Sequence, residues 1–334
     1  MAGDAVDTVT EEDRKQPENA DIFLSFTQAF VESDHEKVSE LLPSVEDFAP
    51  DLSTLCDRDG TSLFAYACRN GWLDIATELA EDHGCSPKQQ NWFGEAPIHL
   101  ASARGHLDVV KFLASELHCN CTVQNADGYT PVHLACEFGH LNVVKFLVCE
   151  QRCDPSCLSN KGNMPLHLAC DNGHLDVVTF LISEQHCDPE CMNKFDDTPL
   201  LQACSGGHLP IVKYLITEHK CLPSHNEERM GGDCLHHACS AGHLEVVKYL
   251  VSEQGMNPNQ STLTPDYGAD RANTPLHFAS KNGHTEIVRF LLSTGRVDSQ
   301  IRNREGKRAL EMAAADRGSK KEVLKVFQEF STRT

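Results

Sequence analysis

The chain has 334 residues, enough for two or more ordinary domains, and carries 49 acidic against 29 basic side chains, a net charge of -20. A field of that sign repels phosphate backbones and anionic membrane surfaces, so nucleic acid is excluded as the expected ligand and a basic partner is favoured. The 16 cysteines sit in a long chain of ordinary apolar content, which points to reduced thiols rather than to a disulfide framework.

Residues 1–19, beginning MAGDAVDTVTEEDRK, offer few apolar side chains to bury, and this acidic segment is expected to be disordered. It holds no apolar stretch of the secretory kind, and no run approaches the ~18 apolar residues that span a bilayer. A soluble, non-secreted protein without membrane insertion is therefore expected, in the cytoplasm, with the nucleus as the alternative. Over 20–56, Ile22, Phe26, Ala29 and Phe30 fall on one helical face and Val38, Leu41 and Leu42 on another, the pattern of an N-terminal capping pair. Charge is uneven: residues 1–59 hold 16 acidic and 4 basic side chains (net -12), and residues 301–334 hold 5 and 9 (net +4).

From Gly71 onward the chain beats. Gly71, Gly105, Gly139, Gly173 and Gly207 follow one another at intervals of 34, and Gly242, Gly283 and Gly318 continue at 35, 41 and 35. One repeat per glycine gives eight, numbered 1 to 8 below. In the third, Thr130 is an N-cap and Pro131 takes the first helical position, where its missing N–H costs nothing. Gly139 ends that helix in the left-handed conformation. Leu141, Val143, Val144, Phe146 and Leu147 then form an apolar stripe at helical spacing, with Asn142, Lys145 and Glu150 outside it. So short a helix pair cannot bury its own apolar face, and copies must stack.

The strings TPVHLACEFGH (130–140), MPLHLACDNGH (164–174) and TPLHFASKNGH (274–284) closely resemble the ankyrin signature. The resemblance covers about residues 21–330 and implies an all-α solenoid of stacked helix-turn-helix units with short β-hairpin fingers, whose concave face is made of fingers and first helices. The expected organisation is the capping pair at 20–56, seven repeats over 57–302 and a capping repeat at 303–330, whose Arg308, Ala309, Leu310 and Glu311 replace Thr-Pro-Leu-His. Repeat 1 is degenerate, with Ser62 at the cap and Trp72 for the second histidine. Repeat 5 has Leu201 where others carry His, and Pro210 in the first turn of its second helix, where proline is tolerated. The extra spacing between repeats 6 and 7 falls in 257–272, read as a lengthened finger that holds Tyr267.

Eighteen histidines invite metal or acid-base chemistry. His99, His133, His167, His236 and His277 share one repeat position, however, and His106, His140, His174, His208, His243 and His284 another, so the fold explains them, with neutral imidazoles bridging neighbouring turns. Cys68, Cys136, Cys170, Cys204 and Cys239, and the series Cys85, Cys119, Cys153, Cys187 and Cys221, recur likewise and are read as packing. Cys153 with Cys157, and His186 with Cys187 and Cys191, have a faint metal-binding flavour, but structural zinc prefers tighter Cys-x-x-Cys pairs and four converging ligands. No phosphate loop, nucleophile elbow or isolated Cys and His pair stands out. No catalytic residue, metal or cofactor is expected.

Specificity then falls to outward residues of fingers and first helices. By register these include Trp92, Phe93, Glu95 and Arg104 in repeat 2, and Asp127, Tyr129, Glu137 and Phe138 in repeat 3. Further along come Asn160, Lys161, Asp171 and Asn172, then Lys194, Phe195 and Asp197, then Arg229 and Met230. Large aromatics and arginine dominate interface hot spots, so Trp92, Phe93, Arg104, Tyr129, Phe138, Phe195, Met230 and Tyr267 are the expected partner-binding residues. The alternative for the rings is that some fold back on neighbouring fingers. The expected function is a monomeric, non-catalytic scaffold or adaptor for a partner protein. The alternative is a regulatory or substrate-targeting subunit of a phosphatase, kinase or ubiquitin ligase complex.

Overall fold

The computed structural model describes residues 25–46 apart from 26, 31 and 33, and residues 52–224, 232–262, 272–314 and 321–331. The acidic segment 1–19, Ile22, Phe26, Arg229, Met230, Gly318, and residues 263–271 of the long finger, Tyr267 with them, lie outside these. The chain forms two compact bodies, residues 1–165 and 166–334. Among the described residues both are helical throughout, with no strand.

In the first body, helix His35–Glu46 precedes the helix pair Leu63–Asn70 and Leu73–Glu81 of repeat 1. Ala29, Phe30, Val38 and Leu42 are buried, and Phe30 packs against Trp72 at 5.5 Å between ring centroids. Repeat 2 pairs Pro97–Arg104 with Leu107–Lys111, and repeat 3 pairs Pro131–Glu137 with Leu141–Lys145; each second helix continues as a wider π turn, over Phe112–Glu116 and Phe146–Glu150. First helices pack in series on first helices, and second on second. The stripe Val109, Val110 and Leu113, with its counterparts Val143, Val144 and Leu147, is fully buried between them. Burying each such side chain stabilises by about 1.5–3 kcal/mol.

The second body repeats the plan, with Pro199–Gly206 and Leu209–Thr217, Cys234–Ala241 and Leu244–Lys248, and Pro275–Asn282 and Thr285–Ser293; Ala309–Ala314 and Lys321–Ser331 form its last pair. Pro210 sits in the first turn of its helix, which runs unbroken.

The two histidine series act as rivets. In the first, the ring accepts from the N-cap backbone and donates to the next finger: Thr130 N–H donates to His133 Nδ1 at 3.1 Å, and His133 Nε2 reaches Asn163 O at 3.0 Å. His99 does the same between Ala96 N and Tyr129 O, and His277 between Thr274 N and Lys307 O. In the second series, His106 Nε2 reaches back to Arg69 O at 3.1 Å and His140 Nε2 to Ala103 O at 3.1 Å. The first pattern needs a neutral ring with the proton on Nε2, and burial lowers the pKa of His99 and His277. The beat glycines serve these rings. Gly71 has φ +77°, and a Cβ there would stand 2.5 Å from His106 Nδ1.

The expected fingers are present as turns rather than as hairpins of paired strands. Pairing is reduced to isolated bridges, Cys56 with Ser62 and Arg302 with Arg308. The reason is local: an Asn, Asp, Ser or Thr at the first position accepts, by its side chain, N–H groups that a longer ladder would bind.

Candidate partner-binding groove

The fingers of repeats 1 to 3 share one construction. Asp57 Oδ1 accepts from the N–H of Asp59 (2.9 Å) and Thr61 (2.8 Å). Asn91 Oδ1 accepts from Phe93 (3.0 Å) and Glu95 (2.9 Å), and Asn125 Oδ1 from Asp127 (3.0 Å) and Tyr129 (2.8 Å). Such side-chain-to-backbone bonds are the turn-forming habit of Asx residues. The tips are joined to one another as well, Trp92 N–H donating to Asp59 O and Ala126 N–H to Phe93 O, both at 2.8 Å. Asp59, Phe93 and Asp127 are therefore held in equivalent frames on three consecutive fingers.

Between this row and the first helices lies an open groove of about 450 Å³. Its finger side carries Asp59, Phe93, Glu95, Asp127 and Tyr129, and its helix side Tyr66, Arg69, Arg104, Glu137 and Phe138. Phe93 is 56% exposed and Phe138 52%, an apolar area that water covers at a cost and a partner would bury. Tyr129 is half-buried, its ring stacked on His133 at 5.4 Å. Tyr66 donates its hydroxyl to Asp57 Oδ2 at 2.7 Å, and burial together with that bond pushes its pKa well up, so the phenol stays a donor. The Arg69 guanidinium stands 6.0 Å from the Tyr66 ring centroid.

Four of the sequence-predicted residues, Phe93, Arg104, Tyr129 and Phe138, thus line one surface. Trp92 is 77% exposed on the adjoining finger tip, over Gly60, and is not part of the groove wall. Phe195, 66% exposed, belongs to the second body, and Met230 and Tyr267 lie outside the described residues. Sequence reasoning passed over Asp57, Asp59, Tyr66 and Arg69, because repeat 1 departs from the signature. Register would have found them: Asp59 lies 34 before Phe93, and Arg69 is 68 before Glu137.

The thiols do other work. None of the sixteen cysteines is in a disulfide. Cys68, Cys136, Cys170, Cys204 and Cys239 are fully buried. Burial raises Cys68, Cys170 and Cys239 well above the usual thiol range and Cys119 to about 11, the behaviour of packing groups rather than nucleophiles. Among the described residues no group of three or more His, Cys, Asp or Glu is placed to hold a metal ion. No helix there is long and apolar enough to cross a membrane.

Stacked helix pairs, finger turns and an open groove between them define a repeat protein of the binding type. Family models for ankyrin repeats match residues 27–125, 114–190 and 183–262, and a further one matches 235–292. The chain belongs to the ankyrin-repeat family, whose repeats generally mediate protein–protein interaction. Among solved structures it is similar to the crystal structure of the human ASB11 ankyrin repeat domain, at 25% identity and a TM-score of 0.57, over 71% of this chain and 98% of that one. No curated protein matches the sequence.

Proposed function

We propose that the chain is a non-catalytic adaptor that holds a segment of a partner protein in the groove of repeats 1 to 3. One observation carries this reading: Phe93 and Phe138, on different repeats, are each more than half exposed and line a single groove beside Arg104 and Tyr129. The carboxylates of Asp59, Glu95, Asp127 and Glu137 along the same walls, and the net charge of -20, favour a basic partner. The chain acts as a monomer in the cytoplasm, by stoichiometric binding without turnover.

The test is a photo-crosslinking amino acid placed at Phe138 in the full chain, in cells, followed by mass spectrometry of the adduct. A dominant protein adduct that disappears in the Phe93→Ala background supports the reading, because truncating a buried interface aromatic costs about tenfold or more in affinity. No adduct, or one indifferent to Phe93→Ala, overturns it.

A further inference from the structure

We infer that the groove recognises an extended segment bearing two cationic side chains about five or six residues apart with an apolar side chain between them. The inference rests on the proposed reading of the groove as the partner surface and adds to it a code for what the partner must present.

The code is written on the finger row. Asp59, Phe93 and Asp127 occupy the same place in three successive turns, each fixed by an Asx side chain and linked to the next finger by a backbone bond. Along the groove the row reads acid, ring, acid. Both carboxylates are exposed and neither enters an ion pair among the described residues. Asp57, in contrast, is already occupied by two backbone N–H groups and the Tyr66 hydroxyl, and Glu95 accepts from Asn91 Nδ2 at 3.0 Å. Asp59 and Asp127 are therefore the groove acids with the most bonding capacity left for a partner.

The opposite wall has the opposite preference. Arg69 and Arg104 outnumber Glu137 on the helix side, whereas Asp59, Glu95 and Asp127 face no base on the finger side, so a cation is steered toward the fingers. A phosphate-bearing ligand meets the reverse arrangement, with acids at both ends of the finger row. Phe93 lies between the two acids in the row and Phe138 exposes its ring on the opposite wall, which suits an apolar side chain.

Spacing follows from packing. First helices of consecutive repeats pack directly on one another, and helices in contact lie about 8–10 Å apart, so Asp59 and Asp127, two steps apart, are separated by about 16–20 Å. An extended chain advances about 3.3 Å per residue, which brings its two cations about five or six positions apart. A helical segment, at about 1.5 Å per residue, would need about eleven to thirteen.

The experiment uses the full chain and synthetic peptides with blocked ends, each with a central leucine, two arginines at a spacing varied from about three to nine positions around that extended-chain expectation, and serine elsewhere. The second of the chain's two tryptophans, Trp92, is exposed beside the groove, whereas Trp72 is buried, so a change in emission reports binding near the fingers. The expected result is tightest binding at spacings of about five or six, weakened by salt, with a loss of about two- to fivefold in Asp59→Asn and in Asp127→Asn and about tenfold in the double variant. Affinity independent of spacing, no binding by any peptide, or unchanged binding in the double Asn variant overturns the inference; thermal unfolding of that variant at the parent temperature confirms that its fold is intact. If the cellular adduct at Phe138 requires Phe93 but is indifferent to Asp59→Asn and Asp127→Asn, the groove reading stands and the cation code falls. If Phe93→Ala leaves the adduct unchanged as well, both fall.

Discussion

Repeats 3 and 5 share one helix-pair plan, and their difference at one buried position, His133 against Leu201, shows what the histidine does. In repeat 3, His133 is wholly buried and joins the N–H of Thr130 to the carbonyl of Asn163 on the next finger. In repeat 5 the position is Leu201, buried to the same degree, and the Thr198 hydroxyl caps the helix by accepting from Leu201 N–H at 3.2 Å. The same occurs in repeat 1, where Ser62 Oγ accepts from Ala65 N–H at 3.2 Å. Helix capping is thus available without the imidazole. The bond to the following finger is what the ring adds, and a finger held in that way, as His99 holds Tyr129 O, can carry a fixed tip residue such as Asp127.

Substitution at His133 separates those two contributions. His133→Ala opens a cavity, leaves the Thr130 N–H without its acceptor and removes one of the two donors to Asn163 O, which keeps Ser159 N–H, and is expected to cost about 2–4 kcal/mol in urea unfolding. His133→Leu, which copies repeat 5, refills the volume and should cost less, about 1–3 kcal/mol for the lost hydrogen bonds alone. Equal losses in the two variants would mean that volume plays no part in the comparison.

Next in size is the glycine under the second histidine series. Gly71→Ala places a Cβ against the His106 ring at a φ of +77°, and a loss of about 1–3 kcal/mol is expected from strain and displacement of the ring. A milder probe is pH. Burial holds the pKa of His99 and His277 below the ordinary value in the folded chain, so below about pH 6.5 the unfolded chain binds more protons than the folded one. Stability is then fully present above that pH and declines as pH falls toward the depressed folded values, which a series of thermal unfolding curves between neutral and acid pH would record. A flat series would show that the rivets tolerate charge.

The smallest effect concerns the turns after the second helices. Gly84, Gly255 and Gly295 take positive φ there, but the equivalent positions in repeats 2 and 3 are His118 (φ 51°) and Arg152 (φ 58°), both exposed. His118→Gly and Arg152→Gly should each raise stability by up to about 1 kcal/mol by relieving a left-handed non-glycine residue. A decrease would mean that these side chains stabilise through contacts that outweigh the strain.

Much of this could be read in advance. The Thr-Pro starts, the Gly-His stops and the Val-Val stripes specify helices and their buried faces from local chemistry and periodicity, and the recurrence of His133 and its counterparts marked them as scaffold. The groove was legible only in part. Phe93, Arg104, Tyr129 and Phe138 were found by register, but Trp92, equally aromatic and one residue from Phe93, lies over Gly60 beside the groove and does not line it. Side chains on adjacent turn positions point in different directions, and the direction depends on the Asn91 hydrogen bonds rather than on residue type.

The sequence by itself determined the repeat, its helices and its rivets, because those depend on patterns that recur every 34 residues and on short-range capping and burial. Only the tertiary structure decided that Asp59 of a degenerate first repeat, Phe93 of the second and Asp127 of the third form one row opposite Arg69, Arg104 and Phe138. That juxtaposition arises from stacking separate segments at a fixed spacing, a relation that no local stretch of the chain contains.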